Sequence, residues 1–214
     1  MPRTISDILG CPSPVNVREP NDFYRTPWEC TQSLIEAEGN LMPPVVWDPC
    51  CGEGDICRVL EPSGRKVISS DLVDRGYGEF IRDFLTVQGP FPEGVGIVAN
   101  PPFKHAEAML KHAADIGIEY VAFLHKAHWL NAAERGRMIE NVWCPARCYL
   151  LTWRPDFTGQ GGATMDCNWY VFDRKSLGLS GSRATCGSRR TKFSCRWPRI
   201  ESRRPTPWRA TEKD

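Results

Sequence analysis

No stretch of this 214-residue sequence approaches the roughly 20 uninterrupted apolar residues that a membrane helix needs. The opening MPRTISDILGCPSP likewise has no apolar segment of the signal-peptide kind. Both absences set the expectation of a cytoplasmic chain with no membrane partner. Paired CxxC knuckles are also missing, and no histidine follows a cysteine pair at finger spacing, so the ten cysteines announce no metal site. They are irregularly spaced in a chain long enough to bury a core, which favours reduced thiols over a disulfide framework. Net charge is nearly absent too, at +1, but the balance is uneven. From Arg174 onward there are 12 Lys/Arg against 3 Asp/Glu, and before it 15 against 23. An acidic body with a basic tail suggests a polyanion partner for the tail, although a solvated basic terminus would look the same.

What is present divides into three parts. Residues 1–21 hold Pro12, Pro14 and Pro20 with little periodicity and read as a loose arm. Residues 22–173 alternate short apolar runs with helical patterns. Residues 174–214 are rich in Ser, Arg, Pro and Gly, and disorder is expected from about Lys175. In the middle part, TPWECTQSLIEAEGN reads as a helix with Thr26 as N-cap, Pro27 at the first helical position, Glu29 closing a capping box and Gly39 ending it. VVW, RKVISSDL, GVGIVA and VAFLH read as buried strands, and DICRVLE, HAEAMLKHAADIG and WLNAAERGRMIEN as the helices between and after them. ARCYLLTW and DCNWYVFD flank a glycine-containing loop and read as an antiparallel pair at the sheet edge. The expected architecture is an α/β doubly wound, mostly parallel sheet with an antiparallel edge hairpin.

In such a sheet ligands bind beyond the carboxyl ends of the strands, so the residues that follow each strand carry most of the functional information. After VVW comes Asp48-Pro49-Cys50-Cys51-Gly52-Glu53-Gly54. Gly52 and Gly54 have no β-carbon to obstruct a turn or a ligand. The spacing is neither GxGxxG nor a Walker loop, which argues against a dinucleotide or a triphosphate. Asp71 ends the second strand about 20 residues beyond the loop, the separation at which a carboxylate meets a ribose diol. Asp83 follows a weakly marked third strand. After GVGIVA come Asn100, Pro101, Pro102 and Phe103. Three acids around one crevice fit a nucleoside with a cationic part better than a phosphate.

DPCCGEG resembles the DPxxGxG cofactor loop, and NPPF the Asp/Asn/Ser-Pro-Pro-aromatic catalytic motif, of S-adenosylmethionine-dependent methyltransferases acting on exocyclic amines of nucleic-acid bases. DFYRTP precedes the loop, as in the N6-adenine class, and the two motifs stand about fifty residues apart. The resemblance implies a Rossmann-like methyltransferase fold over residues 22–173. It also implies that Asp48, Pro49, Cys50, Gly52 and Gly54 line the methionine end of S-adenosyl-L-methionine. Asp71 would then hold the ribose, Asp83 would face the adenine, and Thr26 and Pro27 would close the site. Asn100 and the Pro101 carbonyl would orient the target amine, with Pro102 shaping the turn and Phe103 stacking on the base. Asn rather than Ser at position 100 resembles the N6-adenine subgroup.

The partner implied is nucleic acid, DNA ahead of RNA. Site-specific relatives carry a further domain that reads sequence, and the irregular tail does not resemble one. Specificity is then expected from loops or a partner protein, or the chain is a reduced member such as phages and mobile elements carry. Release-factor glutamine methyltransferases share a similar motif but have a helical N-terminal domain that the segment before Val45 does not match. Trp153, Phe157 and Trp169 flank the last loop and suit either base contact or packing. His125, Lys126 and His128 follow a strand end and suit either a phosphate contact or ordinary satisfied histidines.

Overall fold

The computed structural model describes residues 23–131, 139, 142–159, 161 and 165–179. The expected N-terminal arm, most of the helix expected over WLNAAERGRMIEN, and the basic stretch from 180 onward lie outside the described residues.

Seven strands form one sheet. In chain order they are β1 (Val45–Asp48), β2 (Lys66–Asp71), β3 (Phe80–Ile81), β4 (Val95–Ala99), β5 (Tyr120–Lys126), β6 (Arg147–Leu150) and β7 (Cys167–Asp173). The order across the sheet is β3-β2-β1-β4-β5-β7-β6. β1 to β5 are parallel, with Trp47 level with Ile68 on one side and Ile97 on the other. β7 runs antiparallel to both β5 and β6, so the expected edge pair is present, with β6 outermost. The chain leaves β1 toward β2 and β3, then returns to β4 on the other side of β1. The ends of β1 and β4 therefore flank the switch point where the order reverses.

Both faces of the sheet are covered, which is why its central strands are apolar at successive positions rather than at alternate ones. On one face α3 (Ala106–Asp115) lays Ala106, Met109, Leu110 and Ala113 against Ile97, Val121 and Phe123. On the other, α1 (Trp28–Glu38) and the one-turn α2 (Cys57–Leu60) bring Cys30, Leu34 and Leu60 onto Val46, Val98, Ala122 and Leu124. Trp169 is fully buried in this second layer and donates its indole N–H to the Cys30 carbonyl at 2.8 Å. Its role is packing, and base contact is excluded for it.

Three local expectations change. α1 begins at Trp28 with Pro27 in the cap position, and no side chain caps it; the Thr26 hydroxyl is engaged elsewhere, as described below. The helix expected over DICRVLE is a single α-turn continued by a 3-10 turn, Glu61–Ser63, that includes Pro62. A short helix, α4 (Arg174–Leu179), continues directly from β7 where disorder was expected. It is held there because Asp173 accepts from the main-chain N–H of Lys175 and Ser176. Among the described residues no helix is long and apolar enough to cross a membrane.

Candidate active site

The loops after β1, β2 and β4 converge at the switch point. Asp48, last residue of β1, is 1% exposed. Its Oδ1 accepts from the Cys50 N–H at 3.1 Å, and the Cys57 thiol lies 3.9 Å from Oδ2. Burial pushes the Asp48 carboxyl up to about 8, with the nearby Asp71 adding to the rise and the Cys50 N–H opposing it. This acid has no cationic partner among the described residues. Burial likewise raises the Cys51 thiol to about 12 and the Cys50 thiol well above its ordinary value, so both stay protonated. Pro49 is buried between Asp48 and this cysteine pair.

Asp71 ends β2 and ties the two loops together. Its Oδ2 accepts from the Gly52 N–H at 2.8 Å and its Oδ1 from the Val73 N–H at 3.0 Å. Each oxygen keeps a further acceptor site. Asp83 is exposed and caps the 3-10 turn Phe84–Thr86 by accepting from the Leu85 N–H at 2.9 Å. Leu72, Phe80, Ile81 and Leu85, close to these two acids in the chain, are large apolar side chains left exposed.

The segment Phe23 to Thr26 lies across this crevice and touches both motifs. The Phe23 ring rests on Gly52, whose φ is +55°; a β-carbon there would meet the ring at 2.5 Å. Arg25 pairs with Asp55, Nη2 to Oδ1 at 2.6 Å, and lies 3.4 Å from Glu53. Thr26 is buried, and its Oγ1 accepts from the Asn100 Nδ2 at 3.1 Å. Thr26 is thus joined to the motif after β4 rather than to its own helix. Phe23, Arg25 and Tyr77 were not singled out from the sequence; the only signal for the first two was their place in DFYRTP.

Asn100 follows β4 directly and is partly exposed, Pro101 is buried, and Phe103 is half-buried. With its amide nitrogen on Thr26, Asn100 keeps its carbonyl oxygen as an acceptor. The Phe103 ring lies 4.5 Å from the His125 imidazole, and the Lys126 ammonium stands 5.0 Å from the Phe103 centroid. His125 is 4% exposed and so is not a phosphate contact. A cleft of about 1080 Å³ begins at Thr26 and runs along Trp28, Arg58 and the loop after β6, where Asp156 and Phe157 line it.

No family model matches the sequence, and no curated protein sequence matches it significantly. Solved structures do match. A Pyrococcus horikoshii protein provisionally assigned as an RNA methyltransferase is 21% identical, with a TM-score of 0.56 over 73% of this chain and 90% of that one. A Lactococcus lactis protein provisionally assigned as a hemolysin is 12% identical, with a TM-score of 0.52 over 69% of this chain and 86% of the other. Together with the strand order, these matches settle the architecture. The fold is the Rossmann-like methyltransferase fold.

In this methyltransferase fold the loop after β1 has to turn tightly, and here its glycines are packed beneath the protein's own rings. Gly54 has φ +86°, and a β-carbon would lie 2.5 Å from the Tyr77 ring. Gly64 has nearly the same φ, +82°, but open space around it. Gly54→Ala is therefore expected to cost about 1–3 kcal/mol more than Gly64→Ala in urea denaturation, the difference being steric. Equal losses would mean that Tyr77 swings away freely.

Asp48 makes stability depend on pH with a sign opposite to that of most carboxylates. Unfolded, it titrates near about 4; folded, near 8. The folded state holds the extra proton between these values, so this contribution is complete below about pH 4 and is lost as pH rises toward 8. Relative to Asp48→Asn, the wild type is expected to lose stability between about pH 5 and pH 8.5. A constant difference would mean that Asp48 is already ionised at the lower pH.

Proposed function

We propose that this protein is an S-adenosyl-L-methionine-dependent methyltransferase that methylates the exocyclic N6 amine of adenine in DNA. The observation that carries the reading is the Asn100 amide, anchored through its nitrogen to Thr26 at the switch point, with its oxygen left to accept. The nitrogen of an aromatic amine is a poor nucleophile because its lone pair is delocalised into the ring. Asn100 Oδ1 accepts one N–H of that amine and the Pro101 carbonyl accepts the other. The pair favours a pyramidal nitrogen with its lone pair free. Proline's fixed φ keeps the second carbonyl aimed, Pro102 continues the rigid turn, and Phe103 stacks on the base, offsetting part of the cost of turning it out of a duplex.

The residues present fit the cofactor. Asp48 is a buried carboxylate without a cation, which suits an ammonium group, and the free acceptor sites of Asp71 suit a ribose diol. Asp83 and the exposed apolar side chains near it suit a flat heterocycle. Cys50, Gly52 and Gly54 shape the loop that joins Asp48 to Asp71, and Thr26 and Pro27 close the crevice over it. When bound, the cofactor supplies an electrophilic methyl group on sulfur, so positioning of the amine matters more than removing its proton beforehand. His125 supplies no base here, because burial holds its imidazole down near about 4.

Nucleic acid as the partner is supported by the half-buried Phe103 ring with the Lys126 ammonium beside it, and by Trp28, Phe157 and Arg58 along a cleft whose acids include Glu36, Asp55 and Asp156. The test is tritium transfer from S-adenosyl-L-methionine to DNA, RNA and protein, with nucleoside analysis of the product. N6-methyladenine in DNA is the expected result. N4-methylcytosine, methylated RNA or a methylated protein amide would each overturn the substrate assignment. Calorimetry in buffers of different ionisation enthalpy tests the cofactor site separately: at pH 7, binding is expected to release about one proton as Asp48 ionises. An absence of binding would remove the enzyme reading.

A further inference from the structure

His125 occupies the C-terminal end of β5 and is buried in a place where a purely apolar residue would be less costly. Its Nδ1 accepts the Lys126 main-chain N–H at 2.9 Å, which places the ring proton on Nε2. That Nε2 is buried and meets no acceptor at hydrogen-bond geometry, although the Phe103 main chain favours a proton on the ring. A buried N–H without a well-formed hydrogen bond is destabilising, a penalty that a volume-filling leucine would not carry. What the imidazole does have is rings. Trp129 stacks on it at 4.4 Å and 23°, and Phe103 lies against it at 4.5 Å and 52°. Trp129 is itself held in the core against Tyr170 at 5.3 Å and Phe172 at 6.1 Å. A continuous ladder therefore runs from the centre of the fold to the half-buried ring of the NPPF turn.

We infer that His125 is a positioning residue for Phe103: clamped by Trp129 and by the Lys126 main chain, it holds the Phe103 ring in one orientation for stacking on a flat substrate ring. This rests on the reading of Phe103 as a base-stacking residue. A ring set in place beforehand loses less rotamer freedom when the substrate arrives, and the gain shows as tighter binding rather than faster chemistry. The imidazole is suited to this because one edge bonds to main chain while Trp129 stacks on its face and Phe103 leans against it at 52°. Phenylalanine would keep the flat contact and lose the bond, whereas alanine would lose both.

The test uses the full chain and a DNA oligonucleotide with 2-aminopurine in place of one adenine, together with its RNA counterpart. Wild-type protein is expected to bind S-adenosyl-L-methionine and to quench the probe in the nucleic acid that it methylates. His125→Ala is expected to raise KM for that nucleic acid about tenfold, with kcat and cofactor affinity within about twofold of wild type. His125→Phe is expected to restore KM, whereas His125→Leu, equally apolar but not flat, is expected to leave KM raised even where it melts no lower than wild type, a split that a merely structural role would not produce. On a Phe103→Ala background, His125→Ala should add less than about twofold, because the two act as one unit. A folded His125→Ala with wild-type KM and quenching, or an undiminished effect on the Phe103→Ala background, would overturn the inference and leave the methyltransferase reading standing. Wild-type protein that binds neither cofactor nor probe would overturn both.

Discussion

Replacing Asn100 with alanine is expected to lower kcat for methyl transfer by about 10²–10³-fold, the usual effect of removing one well-placed polar group that acts in the transition state. Affinity for S-adenosyl-L-methionine should stay within about threefold, because Asp48 and Asp71, on β1 and β2, are untouched. Thr26→Val gives the intermediate case. It removes the oxygen that accepts from the Asn100 Nδ2 at 3.1 Å, frees the amide to rotate, and should cost about tenfold in kcat. Single-turnover tritium transfer distinguishes the chemical step from product release. Full activity in Asn100→Ala would remove the proposed role of the NPPF turn, and an unchanged Thr26→Val would mean that Asn100 is oriented by something other than Thr26.

The second large effect lies at the opposite end of the sheet. Glu38, the last residue of α1, has a fully buried side chain. It accepts from the Tyr120 hydroxyl at 3.0 Å, from the Tyr149 hydroxyl, and from the Arg147 Nε and Nη2 at 2.7 and 2.8 Å. Arg147 goes on to Asp173 at 3.0 Å and to the Ser176 hydroxyl at 2.7 Å. The network joins α1, β5, β6, β7 and the start of α4. Glu38→Ala is expected to destabilise the fold by about 3–5 kcal/mol in urea denaturation, since it strands two tyrosine hydroxyls and half of a buried guanidinium. The triple change Glu38→Leu, Arg147→Met and Asp173→Asn should cost clearly less, because it removes the buried charges of the network together and leaves none unpartnered. Equal losses would mean that hydrophobic packing around Glu38, and not its charge, holds these elements together.

Asp173 gives this network an acid limit. Burial alone would raise its carboxyl, but the Ser176 hydroxyl and the Arg147 guanidinium outweigh it and hold it below the usual range. That stabilisation is present above the unfolded value, near about 4, and is lost as pH falls through the depressed folded value. Asp48 and Asp173 therefore act in opposite senses. One loses its contribution toward alkaline pH and the other toward acid.

Sequence pattern alone determined the strand and helix alternation, the antiparallel pair, and the ends of β1, β2 and β4 at Asp48, Asp71 and Ala99. These follow from local causes: buried strands read as apolar runs, and α3 repeats its apolar residues at helical spacing. Local signals failed where a side chain had two competing uses. Thr26 has the chemistry of an N-cap, but its hydroxyl serves an amide 74 residues away. Trp169 suited either base contact or packing, and the bond of its indole to the Cys30 carbonyl decides for packing. Asp48 reads as an ionised acid until burial at the switch point pushes its carboxyl up to about 8. Glu38 carried no signal in the sequence, and its buried role exists only because Arg147 and two tyrosines surround it. Hydrophobic period and motif spacing are properties of neighbours along the chain. Which hydroxyl meets which amide, and which carboxylate loses its water, depends on segments that meet only after the sheet has closed, so the tertiary structure alone decided them.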